Sequence, residues 1–166
     1  MRKIISIFLA LFALSFVFSS CKKTFDVGQT ATVNMSNGWW LTFYDAADSS
    51  QQSNTVFFTT YNTSENKTDS MWIDDLGNFW DFKGKVAIDY AAHTFNSTLS
   101  ENQYYSSEAK ILNGQIFPKG GHSKTGVVTD SIYFQIQFSD DGSSNGYETT
   151  FYATGTARTG FIDDDY

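Results

Sequence analysis

His122 and Ser123 are neighbours and Asp130 follows a short way on, so the residue types of a nucleophilic triad occur together in this 166-residue chain. Hydrolysis by a serine needs the hydroxyl beside a base, and the base oriented by a carboxylate. Adjacent residues in an extended or loop segment point apart, however, and the Gly-x-Ser-x-Gly spacing at Gly142–Gly146 falls in a turn-rich loop with no helical pattern after it, unlike a nucleophile elbow. His122 therefore reads as a loop residue, and His93, the only other histidine, as a turn residue. Asp140-Asp141-Gly142 with Ser143 and Asn145 is oxygen-rich in the manner of a calcium loop, yet lacks the bidentate Glu that would close one. Two histidines and one cysteine do not build a zinc set without carboxylates. Asp74-Asp75 and Asp163–Asp165 read as a solvated turn and a solvated tail. The pattern implies no metal, no cofactor and no identifiable catalytic residue.

Cys21 is a stronger chemical signal. Residues 1–20 begin with Arg2 and Lys3, continue as an apolar run from Ile4 to Phe18 and end on Ser19-Ser20. That run is shorter than the roughly 20 residues of a spanning helix, and basic, apolar and small regions in this order make a secretory leader. Cys21 follows directly and is the only cysteine, which excludes a disulfide within the chain. The arrangement resembles a bacterial lipobox, with Phe18 standing where Leu is usual. The resemblance implies cleavage before Cys21 and lipid attachment to it, and an acyl anchor gives membrane affinity without a spanning helix. The expected organisation is a lipoprotein signal peptide at 1–20, a lipid-anchored tether at 21–37 and a folded domain at 38–166. Such a protein belongs to the cell envelope, anchored to the outer membrane and facing the periplasm or the cell surface.

Composition bounds the folded part. Aromatics make up 17% of the chain, dominated by 16 Phe and 9 Tyr, which is enough for a substantial core and favours strands. The formal net charge of −7 argues against nucleic acid, whose phosphates need clustered Lys and Arg, and against electrostatic docking on anionic lipid.

The elements follow from alternation. From Trp80 to Tyr90, apolar residues and Gly84 fall on one side, while Asp81, Lys83, Lys85 and Asp89 fall on the other. That places the Asp81 and Asp89 carboxylates away from the dry side. Similar runs occur at Trp39–Tyr44, Asn54–Tyr61, Ser70–Asp74, Thr94–Leu99, Ser131–Phe138 and Thr149–Arg158. Asn113-Gly114 between Glu108–Leu112 and Gln115–Phe117 reads as a tight hairpin, with Pro118 ending the second strand. Lys119–Thr129 reads as a long polar loop. Outside the leader no segment shows helical spacing. The fold class is all-β: an up-and-down antiparallel barrel of about eight strands, whose closure removes unpaired edges.

Thr60–Val86 (TYNTSENKTDSMWIDDLGNFWDFKGKV), Thr129–Asp141 (TDSIYFQIQFSDD) and Gly155–Phe161 (GTARTGF) resemble a Bacteroidetes lipoprotein family described as lipid-binding putative hydrolases. The resemblance spans nearly all of the mature chain and implies a lipocalin-like fold. Gly38-x-Trp40 at the first strand also resembles a lipocalin-like signature, in which the Trp closes the barrel bottom under an Arg from the last strand. Arg158, the only arginine after the leader, is the candidate partner. Trp40, Phe82, Phe134, Ile136 and Phe151 are the candidate lining of a cavity for a small apolar or amphipathic ligand. The same residues equally suit a filled core. The expected function is a membrane-anchored barrel that binds a lipid-like ligand. The alternatives are a hydrolase, as the family's description implies, or a module that presents its loops to another envelope protein.

Overall fold

The structure, a computed structural model, describes residues 28–166. The expected leader, Cys21 and the first part of the tether lie outside the described residues. Eight strands form a closed antiparallel barrel in strict sequence order: β1 (Asn37–Asp45), β2 (Val56–Asn62), β3 (Ser70–Asp74), β4 (Lys83–Asp89), β5 (Thr94–Glu101), β6 (Glu108–His122), β7 (Val128–Phe138) and β8 (Phe151–Ala157). β1 closes the ring by pairing with β8 from Trp39↔Ala157 to Asp45↔Phe151. The only helical pieces among the described residues are two 3-10 turns, at Val33–Met35 and Ile162–Asp164. The up-and-down barrel read from alternation is therefore the fold.

Three local readings change. Asn113-Gly114 is not a hairpin but lies inside the 15-residue β6, at a register shift between Leu112 and Gln115 against β7. Asn113 has φ of 54°, and the backbone that would make a tight turn here makes a bulge. Gly114 is required for a second reason: a Cβ there would run into the Phe95 ring. Pro118 does not end the strand either. A second shift between Phe117 and Gly121 carries the chain past it, and the supposed long loop shrinks to a short turn before Val128. Lastly, β4 begins at Lys83, so Phe79 and Trp80 belong to the connection after β3.

The two ends of the barrel differ in what covers them. At the terminal end lie the segment before β1, the β2–β3, β4–β5 and β6–β7 connections, and the tail after β8. At the loop end lie the β1–β2, β3–β4, β5–β6 and β7–β8 connections. Between them the inward residues are packed solid. Phe134 is fully buried, with ring centroids 6.1 Å from Phe43, 5.5 Å from Phe58 and 5.7 Å from Phe95. Phe79 folds in from its loop to stack on Phe43 at 3.9 Å, and Trp80 stacks on Phe138 at 4.7 Å.

Candidate functional site

The expected lining residues divide by parity. Phe82, Phe134 and Ile136 point inward and are buried, and Phe151 is half-buried at the loop end, 5.3 Å from Phe79. Together they fill the interior instead of bordering a cavity. Trp40 is a correction. On β1 the inward positions are Trp39, Leu41 and Phe43, and a period of two then forces Trp40 onto the outer wall. There it packs 5.2 Å from Phe57 and donates Nε1–H to Asp165 at 3.2 Å. Arg158 reaches the same bracket. Its Nε–H donates to Asp165 at 2.7 Å, and its guanidinium stands 5.8 Å from the Phe57 ring. Trp40 and Arg158 are thus brought together through the Asp165 carboxylate on the outside, not as a ring-and-cation lid on the bottom.

The triad residues stay apart in their bonding. Asp130 accepts the backbone N–H of Lys119 at 2.7 Å, and the Ser123 hydroxyl accepts that of Val127 at 3.1 Å. Asp141 is likewise a loop organiser: the Ser143 hydroxyl and the Thr149 and Ser143 backbone N–H groups hold its carboxyl well below the usual range. Among the described residues, no three of His, Cys, Asp and Glu converge as a metal set.

Concavity appears instead in the barrel wall. β3 and β4 pair along the whole of β3, from Ser70↔Ala87 to Asp74↔Lys83. β4 and β5 pair only through Ala87, Ile88 and Asp89 against Asn96, Phe95 and Thr94. Beyond Asn96 the two strands part, and substitutes take over the backbone groups. The Ser100 hydroxyl donates to Lys85 O at 2.9 Å, the Gln103 N–H donates to Lys83 O at 2.9 Å, and Lys83 N–H donates to the Asn102 amide oxygen at 3.1 Å. The parting leaves a cleft of about 680 Å³, open to solvent. Trp72, Val86, Ala87 and Leu99 supply its apolar surface, with Leu99 55% exposed. Glu65, Lys85 and Glu101 stand at its polar margin, where Lys85 Nζ lies 3.9 Å from Glu65. A hydrogen bond from Lys67 holds the Glu65 carboxyl below its ordinary value. The combination of apolar floor and mixed-charge margin suits a ligand with an apolar body and a polar head.

The cleft residues escaped the sequence reading. Inward Phe95 and inward Ser100 cannot share one uninterrupted alternation, so β5 changes parity between them, and the chain hides this because Leu99 continues the alternation from Phe95. The Asp74-Asp75 pair, read as a solvated turn, is also corrected, because both residues are buried. Asp75 accepts backbone N–H groups from Gly77 and Phe82 at 2.9 Å and from Trp80 at 2.7 Å. Burial pushes its pKa up against those three bonds. Asp74 accepts the hydroxyls of Tyr61 at 2.9 Å and Tyr104 at 2.7 Å, together with Leu76 N–H. These bonds shape the loop that delivers Phe79 and Trp80 to the barrel end.

A family model described as lipid-binding putative hydrolase matches residues 24–162, and the chain belongs to that family. No curated protein matches the chain.

Proposed function

We propose that this member of the lipid-binding putative hydrolase family is a lipid-anchored envelope barrel that holds a small amphipathic molecule in its β4–β5 cleft. The observation that carries the reading is the broken ladder beyond Asn96, which opens a wall cleft within the roughly 300–1,000 Å³ range of ligand pockets. The packed interior supports a site on the wall. A ligand inside would have to expel buried Phe43, Phe58 and Phe134, each worth about 2–3 kcal/mol of burial. An acyl chain lies along Leu99, Ala87 and Trp72, and a polar head meets Lys85 and Glu65. Hydrolysis has weaker support, since Ser123 and Asp130 bond to loop backbone and are not assembled with His122 as a triad.

The test is titration of a fluorescent C16 fatty acid into the protein and into Leu99→Glu. Leu99 is more than half exposed, so the variant keeps its fold, and the charge in the apolar floor weakens binding at least about tenfold. Equal affinities for the two proteins overturn the cleft. The anchor has its own test. Cys21→Ser, expressed with its leader, leaves the membrane fraction after export, and continued membrane association refutes lipidation at Cys21.

A further inference from the structure

The loop end carries a second surface, beside the cleft and not dependent on it. Tyr104, Tyr105 and Leu76 are 47%, 41% and 47% exposed, although each is large and apolar for most of its surface. With Gly77 and Asp81 they border a concavity of about 510 Å³. The rings are not loose. Tyr104 Oη donates to Asp74 at 2.7 Å, and Tyr105 Oη donates to Asp140 at 2.6 Å. Asp140 also accepts Trp80 Nε1–H at 3.1 Å, and buried Asp74 accepts the Leu76 N–H, so Tyr104, Tyr105 and Leu76 are each tied to a carboxylate. Side chains fixed before association lose little freedom on binding, which is the property of an aromatic anchor at an interface.

Charge narrows the occupant. Around this end stand Asp81, Glu101, Glu108, Asp140, Asp141 and Glu148, against Lys83 and Lys110. Both lysines are turned to rings: Lys110 Nζ lies 4.0 Å from the Tyr147 centroid, and Lys83 Nζ lies 5.4 Å from Trp72 and 5.5 Å from Tyr61. An acidic field around exposed tyrosine faces repels nucleic acid and anionic head groups and attracts cations, which also bind ring faces directly. We propose that the loop end docks a basic segment of a partner protein, its Arg or Lys side chains set on Tyr104 and Tyr105 beside Asp81 and an apolar neighbour against Leu76.

The test uses the full mature chain and a fluorescein-labelled peptide of four arginines interspersed with leucines, read by fluorescence anisotropy at physiological salt. A peptide with glutamate for each arginine is the control. The arginine peptide binds and the glutamate peptide does not. Asp81→Lys and Tyr105→Ser each weaken binding at least about fivefold, whereas Asp163→Lys, an equal charge change on the exposed tail, leaves it unchanged. Circular dichroism melts confirm that each variant is folded. No binding by the wild type overturns the proposal. So does equal weakening by Asp81→Lys and Asp163→Lys, the mark of attraction to net charge alone, or indifference to Tyr105→Ser. Loss of fatty-acid binding in Leu99→Glu leaves this peptide result untouched, so the two sites fail separately.

Discussion

At the terminal end of the barrel, fully buried Met35 arrives from the segment before β1, and one hydroxyl organises its surroundings. Thr60 Oγ1 donates to Met35 O at 2.6 Å and accepts from Trp39 Nε1–H at 2.9 Å and Asn37 N–H at 3.2 Å. At the loop end the cover is aromatic, Phe79 and Trp80, and its organisers are the buried carboxylates Asp74 and Asp75. A neutral hydroxyl satisfies three groups with little desolvation cost. A buried carboxylate makes stronger bonds but resists ionisation, as the raised pKa of Asp75 shows. The terminal end also leaves apolar side chains in water, at Val127, Val128, Phe161 and Ile162. The loop end spends charge on a loop shape that leaves Tyr104, Tyr105 and Leu76 facing water.

The largest effect that separates the ends is Asp75→Ala. It strands the N–H groups of Gly77, Trp80 and Phe82 without an acceptor and lowers unfolding stability by about 3 kcal/mol or more in urea melts. A loss under about 1 kcal/mol would mean that water replaces the carboxylate and that the loop is not held from within. Next comes Thr60→Val, which keeps the shape but removes the hydroxyl from Trp39, Asn37 and Met35. About 2 kcal/mol is expected by the same measurement. If it exceeds Asp75→Ala, the ranking of the two ends is reversed.

The smallest effect belongs to the tail that buttresses the terminal end. Hydrogen bonds from Arg158 hold Asp165 below its ordinary value, and the Thr159 hydroxyl, with Thr125, holds Asp164 at about 2. A folded pKa below the unfolded 3.8 contributes stability that is present above that value and lost as pH falls through the folded one. Arg158→Ala therefore lowers the melting temperature slightly at pH 7 and makes the fall as pH drops below about 4 shallower than in wild type. Parallel wild-type and variant curves across that window would show that the tail carboxylates do not contribute. Asp75 acts with the opposite sign. Its raised pKa favours the protonated folded form, so its contribution is present below the unfolded value and is lost as pH rises through the folded one.

Much of the barrel was legible because alternation is a local property. Phe82, Gly84 and Val86 inward against Asp81, Lys85 and Ala87 outward is the pattern read from the chain. Where two local solutions share a conformation, the chain was ambiguous: positive φ at Asn113 serves a bulge as well as a hairpin. The cleft was illegible for a different reason. Its walls come from the β2–β3 connection and from β3, β4 and β5, and only their separation in space makes a cavity.

The sequence by itself determined the all-β class, the up-and-down order and the inward faces of β4 and β7, since each depends on residue type and a period of two. It also pointed to the family through motifs spread along the chain. Tertiary structure decided that the interior is full, that Trp40 and Arg158 meet outside through Asp165, and that Asp74 and Asp75 are buried. Those outcomes depend on strand register and on how loops fold back over the barrel ends, and both are set by contacts between residues far apart in the chain.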